Sequence, residues 1–255
     1  MARYFISLGL FFCIEENDLM AQGNPIQLDR PDQTECPFIV PQKYIQVENG
    51  FTYEYAGSGQ KTFSYPSTLW KYGVNSNIEL RLITELVTER NNNTYSMGLL
   101  PLTVGFKAGL LEEKGLIPKT SFIGHITTAG AGSNDFKTSY IAPSFRFTMQ
   151  HTLSQKISIA YNLGAEWDGE TPRPTYIYTL TTGIALSERV GGFVELYGFA
   201  PVHDKADHRF DGGLTCLLNN DLMIDLSAGV GLTNNAPDYF VSLGLSCRFS
   251  VKKRK

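Results

Sequence analysis

The chain has 255 residues, a net charge of −3 and 18% charged residues, with Gly 24, Tyr 13 and Phe 16. At this length it forms one or two soluble domains or a single β-barrel, and glycine with abundant aromatics favours turns and strands over helices. No basic stripe is present, so no nucleic acid is expected as a partner.

The chain opens with an apolar run at residues 4–14 (YFISLGLFFCI) behind Arg3, too short for a membrane helix and matched to the hydrophobic region of a signal peptide. The expected signal peptide is 1–21, cut after Ala21, although Glu15, Glu16 and Asp18 follow the run and Leu19 stands where a small residue is usual. Phe12 is too bulky to precede a lipidated Cys13, so no lipid anchor is expected. Residues 22–41 form a Pro-rich, acidic stretch, expected to be a periplasmic leader or a plug.

From residue 42 to 249 the chain repeats one unit, about ten residues of alternating polarity and then a turn signal. Tyr239, Val241, Leu243, Leu245, Cys247 and Phe249 share one face, while Ser242, Gly244, Ser246 and Arg248 share the other. Strand side chains alternate with period two, so the segment is a ribbon with one apolar and one wet face. The same pattern sets Leu222, Ile224, Leu226, Ala228 and Val230 against Asp225, Ser227 and Gly229, and Leu80 and Leu82 against Glu79 and Arg81.

Strands are expected near 42–54, 62–72, 78–88, 100–110, 119–128, 137–149, 156–167, 175–186, 190–200, 208–218, 222–232 and 238–249. The fold class is therefore all-β, a transmembrane antiparallel up-and-down barrel of about 12 strands, the even number that single-chain bacterial barrels carry. Its connections alternate. Residues 74–77, 152–155, 187–189 and 219–221 are tight, while 91–96, 129–135, 168–174, 201–207 and 233–237 are longer, as short periplasmic turns and external loops would be. A soluble barrel would turn the apolar face inward; the export signal, the charged wet face and aromatics near strand ends (Tyr53, Trp70, Tyr72, Trp167, Tyr176, Tyr239) point instead to lipid outside. Residues 250–255 form a basic tail, with 252–255 a solvated lysine-arginine run.

Cys36, Cys216 and Cys247 form no metal-ligand or disulfide spacing, and the latter two read as small apolar strand residues. His125 and His151 lack a partnered serine in sequence, so a lipid-acting serine hydrolase ranks below a channel. His203, Asp204, Asp207 and His208 could gather a metal, but a loop supplies no spacing that converges them and a solvated loop is the simpler account. Gly57 to Gly59 and Gly130 to Gly132 lack the lysine and strand-to-helix context of a phosphate cradle and read as loop tips. Glu79 and Glu85 with Arg81 could mimic an acid/base pair, yet inward-facing lumen charges explain them more simply.

Several stretches resemble a known family: DRPDQTECPFIVP (29–41), LWKYGVNSNIELRL (69–82), PKTSFIGHIT (118–127), YIAPSFRFTMQHTLS (140–154), YNLGAEWDGETPRPTYIYTLTTG (161–183), ELYGFAP and DKADHRFDGG (within 195–213) and NNAPDYFVSLGLS (234–246). Together they resemble the outer-membrane barrel transporters of the "phenol-degradation MetA-pathway" type, in a Bacteroidetes-like version. The resemblance implies movement of hydrophobic or aromatic compounds without fixing one. Such barrels commonly end on an aromatic residue read by the assembly machinery; here Phe249 is the candidate, followed by SVKKRK.

A twelve-stranded barrel lies between the filled eight-stranded and the open sixteen-stranded kinds, so a narrow pore or ligand-sized cavity is expected. Its lining candidates are Glu79, Arg81, Glu85, Lys107, Arg146, Asp211, Asp225 and Arg248. The expected function is passive passage of a small solute, with no catalytic residue, cofactor or metal. The alternative is a plugged structural or surface-interaction barrel. The expected partners are outer-membrane lipid, the barrel-assembly machinery and an unnamed small solute.

Overall fold

In a computed structural model, residues 24–92 and 94–251 are described, apart from the Ser58 side chain. The expected signal peptide and residues 252–255 of the basic tail lie outside the described residues. The strands are β1 (Tyr44–Ala56), β2 (Gln60–Gly73), β3 (Ile78–Asn91), β4 (Thr94–Leu99), β5 (Thr103–Leu111), β6 (Lys119–Thr127), β7 (Ala142–Thr152), β8 (Ile157–Glu166), β9 (Thr175–Ala185), β10 (Val190–Pro201), β11 (Asp207–Asn219), β12 (Leu222–Gly231) and β13 (Tyr239–Ser250).

All pairings are antiparallel between chain neighbours, and β1 closes the ring on β13 from Tyr44↔Ser250 to Tyr55↔Tyr239. The thirteen segments make twelve staves, because β4 and β5 continue one another along β3: Leu86 pairs with Leu99 and Ile83 with Thr103. Between those pairs β3 advances three residues and its partner four, so the break at 100–102 is a bulge of one extra residue. Pro101 sits in it and has no N–H to give a ladder.

The barrel agrees with the expected fold class, but three boundaries differ. Residues 91–96 are not a long loop; β3 runs to Asn91 and β4 leaves from Thr94, so the connection is a hairpin tip. Glu89, Arg90, Thr94 and Tyr95 are all exposed there, which removes the one-face-buried alternation a sequence reading depends on. The stave expected at 100–110 starts regular pairing only at Thr103, below the bulge. The strand expected from 137 begins at Ala142, because 128–141 is a long loop docked on β4: Ser133 donates N–H to Leu99 O at 2.9 Å, and its hydroxyl accepts the Leu99 N–H at 2.9 Å.

Connections at one end span 74–77, 112–118, 153–156, 186–189 and 220–221, while the other end carries 128–141, 167–174, 202–206 and 232–238. Both described termini lie at the short-turn end. At the long-loop end Asp168 caps its own loop, accepting the N–H groups of Thr171 and Glu170 at 2.8 Å, which holds its carboxyl below the usual range.

The faces separate by polarity. On β13 Leu243 is 55% exposed and Leu245 46%, whereas Ser242 is 6% and Ser246 0%. Leu80, Phe106, Leu163, Leu180, Leu196, Leu214 and Leu226 extend the same exposed apolar surface around the ring. A soluble monomer rarely leaves more than a few hundred Å² of contiguous apolar surface, so this belt rejects the inward-apolar alternative. Rings gather at its long-loop rim, with Tyr53 and Phe63 centroids 4.7 Å apart and Tyr55 and Tyr239 5.6 Å.

Candidate functional site: the lumen and the leader inside it

Because the outer face is apolar, the polar half of every strand converges on the axis, and residues 24–41 lie there. The leader enters at the short-turn end, where Ile26 N–H donates to Asn220 O at 2.8 Å and Arg248 donates to Asn24 O at 2.8 Å. It crosses the lumen and returns to the same end, Val40 donating to Glu79 at 2.8 Å before the chain turns into β1. Prolines 25, 31, 37 and 41 deny it a ladder of its own. Its backbone is therefore satisfied by side chains of the wall, as buried peptide groups must be. Asp29 and Arg30 donate N–H to Glu48 at 3.0 and 3.1 Å, Gln33 to Glu195 at 2.7 Å, and Glu35 to Asn162 at 2.7 Å. In return Gln27 O accepts from Gln46, Gln33 O from Arg146, Cys36 O from Lys107 and Pro37 O from Ser121, at 2.7 to 3.0 Å.

The strongest anchor is Asp29. Its carboxylate meets Lys71 at 2.9 Å, Arg81 at 3.0 Å and Lys107 at 2.7 Å, and also accepts the Cys36 N–H at 3.0 Å. Lys71 further pairs with Glu48, and Arg81 with Glu79 at 3.2 Å and with Glu35 of the leader at 2.5 Å. The wall here supplies three cations and the carboxylates Glu48 and Glu79, one positive charge in excess, which the leader's acids answer. Such pairs, fully buried and multiply hydrogen-bonded, specify a seat more than they add net stability. Arg30 makes a second anchor across the lumen, to Asp225 at 3.1 Å and Ser242 at 3.0 Å.

Two glycines make this approach possible. A Cβ on Gly50 would collide with the Arg30 guanidinium, and one on Gly73 with the carbonyls of Val40 and Pro41. The leader so held divides the lumen. On the short-turn side lies a cavity of about 520 Å³, reaching Thr181 and Phe193; on the long-loop side lies one of about 430 Å³, reaching Glu54, Arg209 and Phe240. Arg30, Pro31 and Asp32 line both and form the partition.

Of the sequence-derived candidates, Glu79, Arg81, Lys107, Asp211, Asp225 and Arg248 are buried in the interior, and Glu85 and Arg146 are half-buried beside the 430 Å³ cavity. Arg81 and Lys107 meet at Asp29, and Glu79 pairs with Arg81; Arg146 reaches Gln33 and, at 4.0 Å, Glu35; Arg248 pairs with Asp221 at the rim. Phe249 lies on the outer face of β13, opposite Ile45. Glu48, Lys71, Glu195, Glu54 and Arg209 escaped the sequence reading, as did the leader acids; the alternation Trp70-Lys71-Tyr72 was the available signal for Lys71.

The remaining chemical candidates are placed apart. His151 meets the Tyr161 hydroxyl at 3.4 Å and His208 that of Tyr178, neither a serine. His203 and Asp204 are exposed while Asp207 is committed to Arg209, and among the described residues no group of three or more metal-ligating side chains converges. Gly57–Gly59 forms the tip between β1 and β2, and Cys36, Cys216 and Cys247 are free thiols.

A closed twelve-stave barrel with a lipid-compatible exterior and a charged, leader-filled lumen defines a β-barrel of the outer-membrane type. Residues 28–249 match the family described as "Putative MetA-pathway of phenol degradation", and the chain belongs to that family. In fold it is similar to an outer membrane channel from Pseudomonas putida F1, with a TM-score of 0.67 and 11% identity over 86% of this chain and 99% of that one. It is also similar to the NanC porin (TM-score 0.56, 8% identity, 80% and 98% covered) and the KdgM porin (TM-score 0.51, 9% identity, 79% and 99% covered). No curated protein matches the sequence.

Proposed function

We propose that the chain is an outer-membrane channel for the passive passage of small solutes, with residues 24–41 acting as its internal plug. The observation that carries this reading is the pair of cavities, about 520 and 430 Å³, that open on opposite sides of Arg30, Pro31 and Asp32. Each is the size of a small-molecule site, and the barrier between them is a segment of irregular backbone rather than a packed core. Displacing a few leader residues would join them. The family description and the fold of the similar channels favour a transport role, and the word phenol in that description favours hydrophobic or aromatic solutes. In this reading residues 1–21 direct export, Phe249 is read by the barrel-assembly machinery, and outer-membrane lipid covers the apolar belt.

The alternative, a permanently plugged surface-interaction barrel, draws on the number of side chains devoted to the leader. A lipid-acting enzyme gains nothing from the placement of His151 and His208 against tyrosines. Planar-bilayer recording of the refolded protein separates the two main readings. A small, steady conductance that rises when the leader is unseated supports the channel; silence from both the parent and unseated variants refutes it.

A further inference from the structure

The lumen's cations are spent on particular acids. Lys71, Arg81 and Lys107 engage Asp29, Glu48, Glu79 and Glu35; Arg30 engages Asp225; Arg209 engages Glu54 and Asp207; Arg248 engages Asp221; and Arg146 donates to Gln33 O at 3.0 Å and stands 4.0 Å from Glu35. Among the described residues Asp32, Glu195 and Asp211 have no lysine or arginine within ion-pair distance. Glu195 and Asp211 are nevertheless direct cross-strand partners on β10 and β11, each 1% exposed, and Asp32 of the leader lines the same 430 Å³ cavity as Asp211. Like charges set opposite one another on adjacent strands repel.

The three are not equally served. Glu195 accepts the Gln33 N–H at 2.7 Å and the hydroxyls of Thr34 and Thr181, the latter at 2.8 Å. Among the described residues no hydroxyl, amide or cation donates to either Asp211 carboxylate oxygen, and its polar neighbour is the Glu195 carboxyl, although the side chain is buried and lines the 430 Å³ cavity. A buried carboxylate without donors is costly, and the described residues offer no donor here. The free space beside it is bounded by Phe240, Leu69, Ile83 and Tyr197, with the Arg209 guanidinium over the Tyr197 ring at 5.9 Å, and the four arginines that line it are outnumbered by six carboxylates. Donors are thus wanted at one end and apolar surface is on offer at the other. A bare metal ion fits this poorly, since no group of three ligating side chains converges among the described residues. An ammonium group supplies several N–H donors and a positive charge, and an aromatic face attracts such a cation.

We propose that Asp211, backed by Glu195 across the ladder and with Asp32 of the leader on the same cavity, forms a binding site for a small organic ammonium ion, its charged head at Asp211 and its apolar body against Phe240. The site deepens the channel reading by naming a solute class, and rests on that reading only for the claim that such a solute passes. Occupancy itself needs no conduction.

The test is calorimetric titration of the detergent-solubilised, refolded chain with benzylammonium chloride at neutral pH, with benzyl alcohol, sodium benzoate and calcium chloride as comparators. Saturable benzylammonium binding is expected, with benzyl alcohol and benzoate weaker by about tenfold or more, and Asp211→Asn weakening benzylammonium by a similar factor, the loss of one buried charge-assisted contact. Asp32→Asn, on the leader and outside the wall, serves as second variant should Asp211→Asn not fold. Equal binding of benzyl alcohol, effective competition by calcium chloride at equal concentration, or unchanged affinity in the variants overturns the proposal. So does absence of benzylammonium binding together with a protonated-carboxyl infrared band in the parent that Asp211→Asn removes, which would show that a proton alone neutralises the pair. A silent bilayer with intact calorimetry refutes passage and leaves the site standing.

Discussion

Replacing Asp29 by Asn should unseat the leader. The carboxylate is shared by Lys71, Arg81 and Lys107 at 2.7 to 3.0 Å, and Asn keeps the shape and an acceptor for the Cys36 N–H while removing the charge. Breaking a buried ion pair by deleting one partner costs about 3–5 kcal/mol. Here the three cations retain Glu48, Glu79 and Glu35 and the lumen is polar, so the lower end applies, about 3 kcal/mol, or roughly a hundredfold in the ratio of seated to released leader. Cys36 reports that ratio directly, because it lies in the leader, whereas Cys216 and Cys247 can be replaced by Ser on the wall. With opening fast relative to labelling, the rate of Cys36 modification by a water-soluble maleimide tracks the released population. Asp29→Asn should therefore raise it by about two orders of magnitude and enlarge single-channel conductance. A labelling rate within about twofold of the parent, with heat-resistant barrel mobility preserved, would refute the view that this cluster holds the plug.

Three further outcomes follow from the same geometry. Cysteines introduced in 168–174 should react with a membrane-impermeant reagent on whole cells while those in 153–156 and 220–221 stay protected, and the reverse pattern would invert the barrel. Leu243→Arg or Leu226→Arg, on the exposed belt, should lower stability in lipid by about 2–4 kcal/mol, as read by urea unfolding in vesicles; Ser242→Ala, which loses one contact to Arg30, should cost about 1 kcal/mol, and a larger loss at Ser242 than at Leu243 would mean the faces are assigned backwards. Arg146→Glu, half-buried beside the 430 Å³ cavity, should keep the barrel folded and shift reversal potentials toward cation preference, whereas Arg81→Glu, which would set a fourth acid against Asp29, Glu35 and Glu79, should behave like Asp29→Asn and release the leader. Unchanged selectivity in an open Arg146→Glu channel would remove that residue from the pathway.

Much of the barrel was legible because period-two alternation is a local property: each strand of the belt records in its own residues which face meets lipid and which meets the lumen. Leu222 to Gly231 and Tyr239 to Ser250 could be placed on sight for that reason. The signal failed where the local rule lapsed. At 91–96 both faces meet water above the belt, so a strand looked like a loop, and at 100–102 a bulge around Pro101 split one stave in two.

The sequence by itself determined the closed all-β architecture, the outward apolar belt and the inward direction of Glu79, Arg81, Lys107, Asp225 and Arg248, since each follows from residue type and parity along one strand. Tertiary structure alone decided what those charges do. Asp29 stands 42 residues from Lys71 and 78 from Lys107 in the chain, and Arg30 lies 195 from Asp225. Ring closure brings them within 3.1 Å, and no periodicity records a contact made across a lumen. The same holds for the carboxylates left over: Asp32, Glu195 and Asp211 are ordinary acids in sequence, and closure sets Glu195 opposite Asp211 and puts Asp211 and Asp32 on one cavity, with no lysine or arginine among the described residues within ion-pair distance of them.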